Sequence, residues 1–163
     1  MKTRKYTIGI VEDDEFAGTM LAWRLNQHAE YKVSWFCSGE ELLKEKNFDP
    51  DLLILDYNLD GRNAKAMNGG QLASQLKKTP IVFMSGQEDL STAVDLLHSG
   101  AYDYVIKDHD AFERVEKSVA DVIDTIRTNE SVKKLDNLKK KDFRRIAFLI
   151  STILFLVAGS FLL

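Results

Sequence analysis

The sequence is poor in cysteine. Cys37 stands alone, so no disulfide within the chain and no cysteine-based zinc site can form. A single thiol suits a reducing compartment, and Cys37 reads as a small buried apolar residue. Histidine is scarce as well: His28, His98 and His109 share no ligand spacing and read as surface or helix-end positions. The opening stretch MKTRKYTIGIVEDD holds no long apolar core and no small-residue cleavage site, which argues against a secretory signal. Internal repeats are absent, and low complexity is confined to a lysine-rich run near the end. The final stretch, 146–163, has no charge, no proline and no amide.

At 163 residues the chain can build one sizeable core but not two. A hydrophobic content of 45% with 29% charged residues excludes a wholly disordered or fibrous chain. The net charge of −3 conceals an asymmetry. Residues 1–130 carry 15 basic and 23 acidic side chains, whereas 131–163 carry seven basic and two acidic. An acidic head is a poor partner for nucleic acid, which needs a basic face, and no basic recognition helix is evident. The basic cluster abuts the apolar end, where a membrane surface accounts for it.

The apolar patterning alternates between two periods. YTIGIV (6–11), YKVSWF (31–36), DLLILD (51–56), PIVFMS (80–85) and YDYVIK (102–107) read as strands, with 51–56 and 80–85 buried on both faces. Between them, FAGTMLAWRLNQHA places Phe16, Met20, Trp23 and Leu25 near helical spacing. SGEELLKEK opens with a serine cap, GQLASQLKK is helical, and a helix from Asp89 closes near Gly100. YNLDGRNAKAMNGG is a loop by its Asn, Gly and Asp content. From Asp110 a long helix repeats Phe112, Val115, Val119, Val122 and Ile126, the pattern of a last helix packed on a sheet. Five strands alternating with helices predict a parallel α/β sheet covered on both faces.

The strand ends carry the chemistry. The first strand ends in Glu12–Asp13–Asp14, the third in Asp56, the fourth in Ser85 and the fifth in Lys107. In a parallel sheet the carboxyl ends share one edge, where ligands bind at the switch in strand order, so these groups converge in one cleft. Clustered carboxylates can hold a divalent cation through oxygen ligands, and a nearby ammonium offsets their charge.

The segments IVEDDE, LLILDYNL, IVFMSG and GAYDYVIK, in this order, resemble the receiver domain of bacterial two-component response regulators over roughly 5–127. The resemblance implies a flavodoxin-like, doubly wound five-stranded parallel sheet. It implies that Asp56 is the phosphoacceptor, phosphorylated by a histidine kinase or phosphotransfer protein. Glu12, Asp13 and Asp56 would hold Mg2+, Glu12 through water, with the backbone carbonyl of Asn58 as a further ligand. Ser85 would bind the phosphoryl group, Tyr104 would be the aromatic that rotates with it, and Lys107 the pairing amine. Such a set makes a two-state switch that signals to a protein partner, with only self-phosphorylation and self-dephosphorylation as chemistry. Asn58 and Gln87 are amides placed to orient an attacking water.

The sequence departs from that family at three places. Gly69 lies thirteen residues beyond Asp56, so the loop around GRNAK is longer than usual. Asp108 follows Lys107 where the family has proline, so the family's cis peptide is not expected. Asp60 stands where proline is also common. Two rival readings are a receiver-like scaffold that is never phosphorylated and an aspartate-nucleophile phosphohydrolase. The hydrolase wants an acid two residues after its nucleophile, where this chain has Asn58.

The organisation expected is a receiver domain at 1–127, a basic helical stalk at 128–145 and a transmembrane tail at 146–163. The stalk's Val132, Leu135 and Leu138 are too few for a coiled coil. The tail is at the short end of what spans a bilayer, and an all-round apolar helix has no place in so small a core. Lys139–Lys141 and Arg144–Arg145 precede it, which puts the head on the cytoplasmic side of a single-pass anchor. Ala147 and Ser151 have the four-residue spacing of small residues that pair helices, a spacing that would support a homodimer.

Overall fold

A computed structural model of the chain describes residues 4–59, 67–76, 78–86 and 90–160, with backbone alone for Leu90 and for 152–160. It divides into two compact units, Met1–Ile123 and Asp124–Leu163.

The first unit is built on five strands: β1 (Tyr6–Val11), β2 (Tyr31–Phe36), β3 (Leu52–Asp56), β4 (Ile81–Ser85) and β5 (Asp103–Ile106). They form one parallel sheet in the order β2-β1-β3-β4-β5, so strand order reverses between β1 and β3. Between the strands lie α1 (Glu15–Leu25), α2 (Gly39–Lys44), α3 (Gly69–Gln75) and α4 (Leu90–His98), and α5 (Ala111–Ser160) follows β5. This is the flavodoxin-like architecture expected. Every residue of β3 and β4 is buried, as continuous apolar runs in a doubly covered sheet should be. Of the stripe read from the sequence, Val115, Val119 and Val122 of α5 are buried, Phe112 and Ile126 at its ends are half-buried, and Ile123, outside that spacing, is buried as well.

Helix starts follow local chemistry. The Asp14 carboxylate accepts the backbone N–H groups of Phe16 and Ala17 at 2.8 and 3.1 Å and so caps α1. Ser38 caps α2, and Asn68 with Gln71 forms a capping box for α3. In α1 the helical period is as expected but the face differs. Phe16 and Trp23 are 70% and 63% exposed, and the buried line is Gly18, Leu21 and Leu25. The helix also stops at Leu25, because the chain turns through Asn26–Glu30 to enter β2, with His28 N–H on the Leu25 carbonyl. Cys37 is half-buried rather than buried.

Gly69 sets the approach of α3 to the end of β3. Its N–H donates to the Tyr57 carbonyl at 3.0 Å, and a Cβ there would lie 2.2 Å from the Asp56 carbonyl oxygen. Only glycine admits this contact. Gly100 ends α4 with φ of +102°, and the Ala101 N–H returns to the Leu96 carbonyl at 3.0 Å.

The second unit is helical through Ser160, and its apolar residues Val132, Leu135, Leu138, Phe143, Ile146, Phe148, Leu149 and Ile150 are all exposed. Among the described residues no helix is long and apolar enough to cross a membrane. The expected span at 146–163 runs beyond the described side chains, and 161–163 lie outside the described residues altogether.

Replacing Gly69 by alanine should cost about 1–3 kcal/mol of unfolding free energy, since backbone at the end of β3 must give way. Gly86→Ala, with nothing within 4 Å of its Cβ position, should stay within about 0.5 kcal/mol of the parent. Urea unfolding of both variants checks the contrast.

Candidate functional site

The reversal between β1 and β3 opens the carboxyl edge of the sheet, and the strand-end residues meet there. Glu12 directly follows β1, and its N–H donates to the Phe36 carbonyl at 3.1 Å. Asp56 ends β3, and the Asn58 N–H fixes its Oδ1 at 3.0 Å. Lys107 directly follows β5, anchored by its own N–H on the Ser85 carbonyl at 2.8 Å. Its ammonium reaches across the edge to Asp56 Oδ2 at 2.6 Å and to Glu12 Oε1 at 2.9 Å. Glu12, Asp13 and Asp56 each place a carboxylate oxygen within 4.8 Å of the others.

The cluster holds more negative than positive charge, and it is largely buried: Glu12 is 1% and Asp56 4% exposed. Burial, and next the Asp56 charge, push the Glu12 carboxyl up to about 7, although Lys107 pulls the other way. Burial alone would lower the Lys107 ammonium, but its hydrogen bonds to Asp56 and Glu12 outweigh that and raise it. Glu12 Oε2 is buried and lies 2.7 Å from the Lys107 ammonium. Three carboxylates with oxygens this close, more negative charge than Lys107 offsets, and no nitrogen or sulfur ligand fit a hard divalent cation such as Mg2+.

Ser85 ends β4 fully buried, one residue past Met84, which pairs with Asp56. Tyr104 pairs in register with Phe83 and is half-buried against the core beneath the edge. Asp60, the GRNAK segment, Gln87 and Asp89 lie outside the described residues. None of the three histidines belongs to the carboxylate cluster; His109 is exposed beside Asp110.

A profile described as the response regulator receiver domain matches residues 8–120. The chain belongs to this family. It is 33% identical over 104 residues to the transcriptional regulatory protein AfsQ1 of Streptomyces coelicolor, covering 60% of this chain and 43% of that one. It is 31% identical over 140 residues to the probable transcriptional regulator ycf27 of Cyanidium caldarium, covering 83% and 53%. The non-phosphorylated HemR receiver domain of Leptospira biflexa superposes with a TM-score of 0.63 at 27% identity, covering 73% of this chain and 94% of that one. The chain spans about half the length of the curated relatives it matches. Those relatives are named as transcriptional regulators, so the expectation of no nucleic-acid partner draws no support from them.

Two contacts around the receiver's site were not legible in the sequence. The Trp35 indole N–H donates to the Glu12 carbonyl at 2.9 Å. The glycine inside α1, Gly18, was a signal of close approach there. The second is at Asp108, where the family has proline. Arg114 Nη2 donates to the Ile106 carbonyl at 2.6 Å and to Asp108 Oδ1 at 2.8 Å, and so holds the turn after Lys107. The Arg114 hydrogen bond also keeps the Asp108 carboxyl below its ordinary range. No cis peptide occurs among the described residues.

The raised Glu12 carboxyl carries a stability signature in chelator. The folded protein holds the proton up to about pH 7 and the unfolded chain only to about 4.5, so unfolding releases it between those values. Unfolding free energy should therefore fall by about 1–3 kcal/mol relative to Glu12→Gln as pH rises through that window, and run parallel above it. Denaturation of both proteins across pH checks the sign; a gap that widens in favour of the parent would refute it.

Proposed function

We propose that this receiver is a phosphoacceptor switch in which Asp56 takes a phosphoryl group from a histidine kinase or phosphotransfer protein. The observation that carries the reading is the Lys107 ammonium held 2.6 Å from the Asp56 carboxylate beside the Glu12–Asp13–Asp56 oxygen cluster. An Asp56 oxygen attacks phosphorus, the bond from phosphorus to the donor nitrogen breaks, and an aspartyl phosphate results. Glu12, Asp13, Asp56 and the Asn58 carbonyl would hold Mg2+, which when bound offsets the charge of the approaching phosphoryl oxygens. Lys107 pairs with a phosphoryl oxygen as the nucleophile's own charge is spent. The Ser85 hydroxyl donates to another oxygen, and the space this clears at the end of β4 receives the Tyr104 ring. The altered surface is then read by a downstream protein.

The proposal extends to a membrane location, with the receiver on the cytoplasmic side. Its support is the uncharged 146–163 stretch, the basic residues Lys139–Lys141 and Arg144–Arg145 before it, and the exposure of Ile146, Phe148, Leu149 and Ile150. A tether would raise the effective concentration of the receiver near a membrane kinase. Pairing through the small residues Ala147 and Ser151 would make the tethered form a homodimer.

Incubation with a small-molecule phosphodonor and Mg2+ should add one phosphoryl mass. The gain should vanish in Asp56→Asn and in chelator. A chain that stays unmodified even with a competent kinase would be a constitutive scaffold. The membrane reading predicts that the full chain floats with phospholipid vesicles and that a chain ending at Arg145 does not. Equal behaviour of the two would sink it.

A further inference from the structure

We propose that Trp35 is a positioning residue for the acidic pair, holding the Glu12–Asp13 backbone where its carboxylates can grip a divalent cation. The inference rests on the reading that Glu12, Asp13 and Asp56 bind Mg2+.

Three observations converge on Trp35. It sits in β2 opposite Ile10, one step short of the Phe36–Val11 pair that ends the β1–β2 ladder. Beyond that pair the backbone ladder continues by one bond only, from the Glu12 N–H to the Phe36 carbonyl at 3.1 Å. The Trp35 side chain then supplies the next bond, with its indole N–H on the Glu12 carbonyl at 2.9 Å. The Glu12 N–H and carbonyl are thereby both tied to β2, while the Asp14 side chain, accepting from the Phe16 and Ala17 N–H groups, ties the turn to α1. Glu12 and Asp13 lie between two fixed ends.

Space for the indole comes from α1. A Cβ at Gly18 would lie 2.1 Å from the Trp35 Nε1 and 2.5 Å from Cδ1. Glycine is unfavourable inside a helix, by roughly 0.5–1 kcal/mol against alanine. Here its missing side chain is the channel through which the ring reaches the Glu12 carbonyl. The two residues therefore act on one hydrogen bond from opposite sides.

The cation would be held by oxygens whose separation decides affinity, because Mg2+ demands near-ideal octahedral geometry. Freeing the Glu12 carbonyl lets the β1–α1 turn relax and spreads those oxygens. The indole also touches the peptide that carries a ligand, so its emission should report occupancy. The chain has two tryptophans, and the other, Trp23, is exposed on α1.

The test uses the full chain in one detergent buffer. In Trp23→Phe, where Trp35 is the sole tryptophan, Mg2+ should change the emission with the same midpoint that calorimetry gives. Trp35→Phe and Gly18→Ala should each weaken Mg2+ binding by roughly three- to tenfold, the effect of one hydrogen bond. The double variant should be no weaker than the poorer single one, since both remove the same contact. Val33→Ala, a destabilising change elsewhere in β2, should leave the affinity alone although it lowers the melting temperature. The inference is overturned if Trp35→Phe binds Mg2+ as the parent does, if the two losses add, or if Trp35 emission ignores Mg2+ that calorimetry shows bound. If Trp35→Phe does not fold, the emission and Gly18→Ala decide. A parent that binds no Mg2+ is a separate result: it ends the metal reading and this inference with it.

Discussion

One ammonium group, that of Lys107, stands between two buried carboxylates that would otherwise repel each other. It lies 2.6 Å from Asp56 and 2.7 Å from Glu12, and both acids are almost wholly shielded from water. A charge buried without a partner is costly, so this edge of the sheet depends on the lysine arriving from β5. The arrival is governed by register. Ile106 pairs with Ser85 and Asp56 with Met84, which brings the ends of β3, β4 and β5 to one level. The apolar runs that form the strands therefore also fix the spacing of the charges.

The compensation is incomplete, and its incompleteness gives the site its chemistry. One lysine cannot satisfy three carboxylates, and Glu12 responds by holding its proton toward neutral pH. A second positive charge is what the cluster lacks. A divalent cation and a phosphoryl group arriving together would supply and then use that charge, in keeping with a fold whose ligands gather at the strand-order switch. Gly69 serves the same end mechanically. By letting α3 press on the backbone of Asp56 and Tyr57, it holds the last residue of β3 from behind.

Much of this was legible because the signals were local and repeated. β1, β3 and β4 are short, mostly apolar runs, and the acids, hydroxyl and amine sit at strand ends, so parallel topology alone collects Glu12, Asp13, Asp56, Ser85 and Lys107. What was not legible depends on distant partners. Phe16 and Trp23 look like core in a helical wheel, yet α1 buries Gly18 instead because an indole from β2 must pass there. The proton on Glu12 needs burial and a second acid close in space, neither of which a linear string displays. Arg114 was one charge among many until the fold set it over the Ile106 carbonyl.

That last contact gives the turn after Lys107 a distinctive character. A proline ring would restrain such a turn covalently, indifferent to the medium. Here the restraint is Arg114, which bonds the Ile106 carbonyl and forms an ion pair with Asp108, both side chains about two-fifths open to water. Dissolved ions screen exposed pairs of this kind within roughly a nanometre. Ionic strength therefore loosens one of the two holds that Arg114 has on the turn after the site's ammonium, and leaves its bond to the Ile106 carbonyl in place.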